Sequence, residues 1–118
     1  MRRAIRLATV GSALISVSIA SGATSIDSKT SLNLGPAPGQ FTGAVRAGDP
    51  VCVSGRTIKV KRVEAGRDQT VARDFSDING LWERTTDERS GTWYAKLKRE
   101  RRGGNLCLGD KSAKRSAG

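Results

Sequence analysis

The chain has 118 residues, with 21 Lys and Arg against 11 Asp and Glu, a formal net charge of +10, two cysteines and no histidine. Without histidine, Ser-His-Asp and Cys-His nucleophile arrangements are excluded, and two thiols alone are a poor metal-ligand set. A strongly basic balance favours solubility and loose attraction to polyanions and carries no information on fold.

The first 23 residues read as a targeting segment. Arg2, Arg3 and Arg6 form a basic start, and Leu7 to Ala20 is uncharged and largely apolar. Ser18-Ile19-Ala20 and Ser21-Gly22-Ala23 then offer small residues for cleavage, the three-part layout of a secretory signal peptide. The apolar run is diluted by Ser, Thr and Gly and is shorter than the roughly 20 residues a membrane span needs. The expected product is therefore secreted, or held in the periplasm or cell envelope, and starts near residue 24. With three signal arginines removed from the 21 basic residues, 11 acidic residues leave it at +7.

A chain of this length forms one small domain and buries only about 60–68% of its unfolded surface, so a covalent staple helps. Two cysteines in an exported chain most simply pair. Cys52 and Cys107 lie 55 positions apart. Closing a loop of that size stabilises by roughly 4 kcal/mol in the chain-entropy model.

Residues 24–40 contain Ser, Thr, Gly and Pro, with Gly-Pro-Ala-Pro-Gly at 35–39 and no helical or strand period, and read as a flexible spacer. Short strands follow over a domain expected at 41–112. Phe41, Gly43 and Val45 alternate on one side of the first, Gly48-Asp49-Pro50 is a turn, and Val51-Cys52-Val53 reads as strand. In Thr57 to Val63, Ile58 and Val60 face one way while Thr57, Lys59 and Lys61 face the other. Residues 69–75 and 80–84 read as two arms of a hairpin around Asp77, Asn79 and Gly80. Asp and Asn side chains bond nearby backbone at such a tip, and Gly supplies a positive φ. In Thr92 to Arg99, Trp93, Ala95 and Leu97 share one face and Tyr94, Lys96 and Lys98 the other. Asn105 to Leu108 has room for a last short strand, and residues 109–118 read as a polar tail, basic over 113–118. No stretch after residue 23 carries a helical period. Short strands with regular turn signals predict an all-β fold, a small Greek-key-type sandwich with one disulfide.

The pattern Cys52-x-x-Gly55-Arg56-x-Ile58-x-Val60, Ser76-Asp77-x-x-Gly80-x-Trp82, Gly91-x-Trp93-Tyr94-Ala95-Lys96-Leu97 and then Cys107 resembles a group of small exported bacterial proteins. These are similar to the carboxypeptidase regulatory-like, or transthyretin-like, β-sandwich. The resemblance implies a sandwich fold, a disulfide, an accessory role and no catalytic residue.

No cofactor or catalytic residue is expected from the residues themselves. Around Gly80 a calcium-loop alignment places Phe75 and Thr86 where charged ligands belong, so a β-turn is the better reading. The lysines fall on solvent faces of strands, which fits surface charge better than a nucleophile. The functional candidate is a basic face of Lys59, Lys61, Lys96, Lys98, Arg99, Arg101 and Arg102. The sequence leaves two roles open. One is a structural or interaction module of the cell envelope, with these charges protecting sheet edges. The other is weak, sequence-blind binding of a polyanion: a cell-wall acidic polymer, an anionic lipid or extracellular nucleic acid.

Overall fold

The structure is a computed structural model describing residues 24–118; the expected signal peptide lies outside the described residues. The chain is all β. Its strands are β1 (Thr24–Ile26), β2 (Ser28–Thr30), β3 (Asn33–Leu34), β4 (Gln40–Ala47), β5 (Thr57–Arg62), β6 (Gln69–Phe75) and β7 (Leu81–Thr85). They continue with β8 (Gly91–Leu97), β9 (Glu100–Arg102), β10 (Asn105–Cys107), β11 (Asp110–Lys111) and β12 (Arg115–Ala117).

Two sheets enclose the core. In one, β4 lies between β7 and the successive short strands β2 and β3. In the other, the order is β11-β8-β5-β6, with β12 extending the β11 side of β8. β7 returns beside β4 after β5 and β6 have been laid in the opposite sheet, the fourth-beside-first connection of a Greek key. Period-two alternation turns Phe41 and Val45 of β4, Ile58 and Val60 of β5, Trp82 of β7, and Trp93, Ala95 and Leu97 of β8 into one buried cluster. Phe41 meets Trp93 edge to face at 5.2 Å, a geometry worth about 0.5–1.5 kcal/mol beyond the area buried. Gly43 lies opposite Trp82 in the ladder, where a Cβ would strike the indole ring and the Ser31 carbonyl. A glycine there lets the large ring lie flat across β4.

The spacer expected at residues 24–40 is instead part of the fold. β2 pairs with β4 through Ser28–Ala47 to Thr30–Val45, β3 pairs with it through Asn33–Thr42, and Leu32 is 1% exposed in the core. Ser28 and Thr30 are buried as well, and the Thr30 hydroxyl accepts from Trp82 Nε1 at 3.2 Å. The expected polar tail also enters the sheet, with Arg115 opposite Trp93 and Lys111 opposite Lys96. These two additions close one edge of the sandwich: Asp110 Oδ2 accepts from Thr30 N, and Arg115 Nε donates to the Leu32 carbonyl.

Residues 69–85 differ from expectation too. Their arms do not form a hairpin ladder, because β6 pairs with β5 and β7 with β4, so the turn is an arch from sheet to sheet. Side chains stitch the arms together: Asp74 Oδ2 accepts from Glu83 N, and Arg84 Nε donates to the Arg73 carbonyl. The turn itself is as expected. Asp77 Oδ1 accepts from Asn79 N and Leu81 N at 2.8 and 2.9 Å, and Gly80 has φ +83°. Pro50–Cys52 is a turn of 3₁₀ helix rather than a strand, with the Asp49 carboxylate capping Val51 N.

A small third sheet, β1-β10-β9, packs at one end and is tied to the 3₁₀ turn by the Cys52–Cys107 disulfide, with Cα atoms 5.5 Å apart. Beside it Arg56 is wholly buried. Its guanidinium donates to Ser28 Oγ and to the carbonyls of Cys52, Lys98 and Leu108 at 2.7–3.0 Å. Its Nε lies 3.5 Å from Glu100 Oε2, which also accepts from Thr57 N. One side chain thus joins four chain segments and satisfies carbonyls that would otherwise be buried without partners. Burial lowers the pKa of Arg56, and Glu100 partly offsets this.

Candidate functional site

The outer surface of the β6-β5-β8-β11 sheet is set by the same alternation that builds the core. Ile58 and Val60 point inward, so Lys59 and Lys61 point outward; Ala95 and Leu97 do the same for Lys96. The antiparallel register then lines these positions up. Arg73 lies opposite Lys59, Lys59 opposite Lys96, and Lys96 opposite Lys111. Neighbouring strands are about 4.8 Å apart, so the four cations form a row across the sheet spanning about 14 Å. Lys61 lies two positions along β5 from Lys59. Lys98, whose N–H bonds the Thr57 carbonyl, lies beyond Lys96. Lys59, Lys96, Lys98, Arg99 and Lys111 line one open groove of about 520 Å³.

The cations of this face are not matched by acids. The four ion pairs among the described residues belong to Arg56, Arg62 and Arg102. Asp110, at the groove wall, directs Oδ2 to Thr30 N. Asp68 borders the face but accepts from Tyr94 Oη at 2.8 Å and from Glu64 N. That shared bond lowers the pKa of Asp68 and raises that of Tyr94. Repulsion shows most at Lys59, whose pKa is lowered first by Arg73, then by burial, and then by Lys61, Lys96 and Lys98.

Of the expected basic residues, Lys59, Lys61, Lys96 and Lys98 come together, and Arg99 joins them at the groove. Arg101 sits on β9 opposite Leu106, in the third sheet. Arg102 donates to the Ser54 and Gly55 carbonyls and to Glu100 Oε1, so it serves the fold rather than the face. Arg62 is likewise committed, holding Glu64, Glu88 and Gln69, while Glu88 also accepts from Trp93 Nε1. Arg73 and Lys111 complete the row and were not legible in the sequence. Arg73 lies on an arm whose partner strand was misassigned, and Lys111 lies in the stretch read as tail.

Elsewhere, Asp77, Asn79 and Gly80 build the arch turn, and Cys52 and Cys107 are joined to each other. Among the described residues, no three cysteine or carboxylate side chains gather as a metal-ligand set. No protein-family model matches the chain, and no curated protein matches it.

Proposed function

We propose that the chain is an exported, non-enzymatic β-sandwich module that holds polyanions on the outer face of β5 and β8. The supporting observation is where the lysines lie. β5 and β8 are the inner strands of their sheet, so Lys59 and Lys96 do not guard an edge against pairing with another chain. Like charges placed directly opposite each other destabilise a sheet. An anionic ligand gives that arrangement a purpose, because each cation it engages releases condensed counterions. The Cys52–Cys107 disulfide fits an oxidising compartment, in keeping with the signal-peptide reading of residues 1–23. The buried Arg56, which donates to the Cys52 and Lys98 carbonyls, gives the Cys-x-x-Gly-Arg pattern a structural purpose consistent with the transthyretin-like resemblance.

Heparin and phosphocellulose chromatography tests the binding reading. Wild-type protein is expected to be retained at low salt and released as salt rises, and Lys59→Gln/Lys96→Gln to elute earlier. Passage through both columns at low salt, or equal elution of the variant, overturns it. N-terminal sequencing of the secreted product tests export, with a start expected between Ser21 and Ser25.

A further inference from the structure

We infer that the polyanion on this face is a single flexible, base-free phosphodiester chain that crosses the strands along Arg73, Lys59, Lys96 and Lys111. The inference rests on the polyanion reading above and adds the direction of the ligand and its chemical class.

Direction follows from continuity of charge. Along β5 the outward residues are Thr57, Lys59 and Lys61, and along β8 they are Tyr94 and Lys96 before Lys98, so neither strand carries more than two or three cations in line. Across the strands the register gives four in succession with no neutral residue between them. A chain lying across the sheet therefore meets the longest run of positive potential. The face is a sheet surface with no helix or ribbon projecting to enter a duplex groove, so a rigid duplex meets fewer of the four than a flexible chain does.

Class follows from which side chains are present. Three of the four are lysines, compact point charges that hold phosphate without paired-donor geometry, which suits a flexible chain whose phosphates are not fixed in orientation. Sequence-blind binding of single-stranded nucleic acid relies on aromatic faces on which bases stack. Phe41, Trp82 and Trp93 are in the core. Tyr94, the aromatic within the basic face, is 8% exposed, bonds Asp68 through its hydroxyl and has Lys111 Nζ 5.9 Å from its ring centroid. Phe75 is 68% exposed and lies two residues from Arg73 on β6, opposite Thr57, so one ring stands beside one end of the row. The row thus offers continuous charge but a single aromatic ring, not the succession of rings on which consecutive bases stack.

The test is fluorescence titration of the full mature chain with labelled poly(glycerol phosphate) and with oligothymidylate of equal charge, over a range of salt. Log affinity against log salt should be linear, with a slope proportional to the cations engaged, about 0.7 per contact on a single nucleic acid strand. Arg73→Gln/Lys111→Gln removes two of four contacts, so the slope should halve. Arg101→Gln should match wild type, and oligothymidylate should bind no tighter than the base-free polymer. All three substituted side chains are exposed, and an unchanged thermal midpoint confirms that each variant is folded. If the double variant keeps the wild-type slope while Lys61→Gln/Lys98→Gln flattens it, the ligand runs along the strands; the crossing is then overturned and the face reading stands. Oligothymidylate binding tenfold tighter overturns the base-free class. No binding of either polymer at low salt overturns both this inference and the reading it rests on.

Discussion

Lys59 and Lys96 stand directly opposite each other on the two inner strands of one sheet, flanked in the same row by Arg73 and Lys111. Lys59 is held below its ordinary pKa, first by Arg73 and then by burial and its lysine neighbours. With a folded pKa below the unfolded one, the unfolded chain binds more protons in the window between the two values, and stability rises with pH through it. Lys59→Gln should therefore raise the thermal midpoint at low salt and weaken polyanion binding. The gain should shrink at high salt, where exposed charges are screened. A lowered midpoint at low salt would show that the row is not self-repelling.

Arg56 is the opposite case, a buried cation whose two terminal nitrogens are hydrogen-bonded and whose Nε faces Glu100 at 3.5 Å. Arg56→Met leaves the carbonyls of Cys52, Lys98 and Leu108 without their donor and Glu100 without a charge partner, and should cost about 3–5 kcal/mol in denaturant unfolding. Glu100→Gln should cost less, about 1–3 kcal/mol. Burial alone would raise the pKa of Glu100, but the Thr57 N–H, Arg102 and Arg56 outweigh it and hold the pKa below the usual carboxylate value. The stability this carboxylate contributes is present above its unfolded pKa and lost as pH falls through the folded one. Glu100→Gln should accordingly flatten the acid limb of the stability profile below about pH 4. An unchanged acid limb would remove Glu100 from that account.

Reduction of Cys52–Cys107, or Cys52→Ala, should cost about 2–5 kcal/mol, because the bridge closes a long loop and anchors the third sheet to the 3₁₀ turn. Intact mass before and after alkylation shows whether the bond is present, and equal denaturant midpoints with and without reductant would show that it stabilises nothing.

At the arch, Gly80→Val places a β-branched residue at φ +83°, with its Cβ against the Val45 carbonyl and 2.9 Å from Val53 Cγ1. It should cost about 3 kcal/mol or more, combining backbone strain with overpacking. Ile78 is 83% exposed at the tip, and Ile78→Val should change stability by less than about 0.5 kcal/mol. Equal effects at the two positions would contradict the turn.

What the sequence made legible was local. Alternation placed Ile58, Val60, Trp93, Ala95 and Leu97 inward correctly, and Asp77, Asn79 and Gly80 formed the expected turn, because these features depend on residues a few positions apart. The arch was misread as a hairpin because a turn sequence does not specify which sheet each arm joins. β2 was missed because Ser28 and Thr30 are polar residues buried by their partners rather than by their own hydrophobicity. The cationic row is the clearest case. Lys59 and Lys96 were each readable as exposed, but their opposition needs the β5–β8 register, and the places of Arg73 and Lys111 need strand order over the whole domain. Arg102 shows the converse: it reads as one charge in a basic run, and only the fold shows it bonded to Ser54, Gly55 and Glu100.

Amide chemical-shift mapping during titration with an anionic polymer tests the central claim most directly. Low-molecular-weight heparin, added to the mature protein at low salt, should perturb Lys59, Lys61, Arg73, Lys96, Lys98 and Lys111 together. The opposite sheet offers an internal control, since Lys29 and Arg46 face each other there, with Arg46 bordering a groove that also holds Asp74, Asp77 and Glu83. Shifts concentrated on β5, β8 and their flanking cations are the predicted result. Shifts centred on Lys29 and Arg46, spread evenly over the surface, or absent throughout would contradict the account.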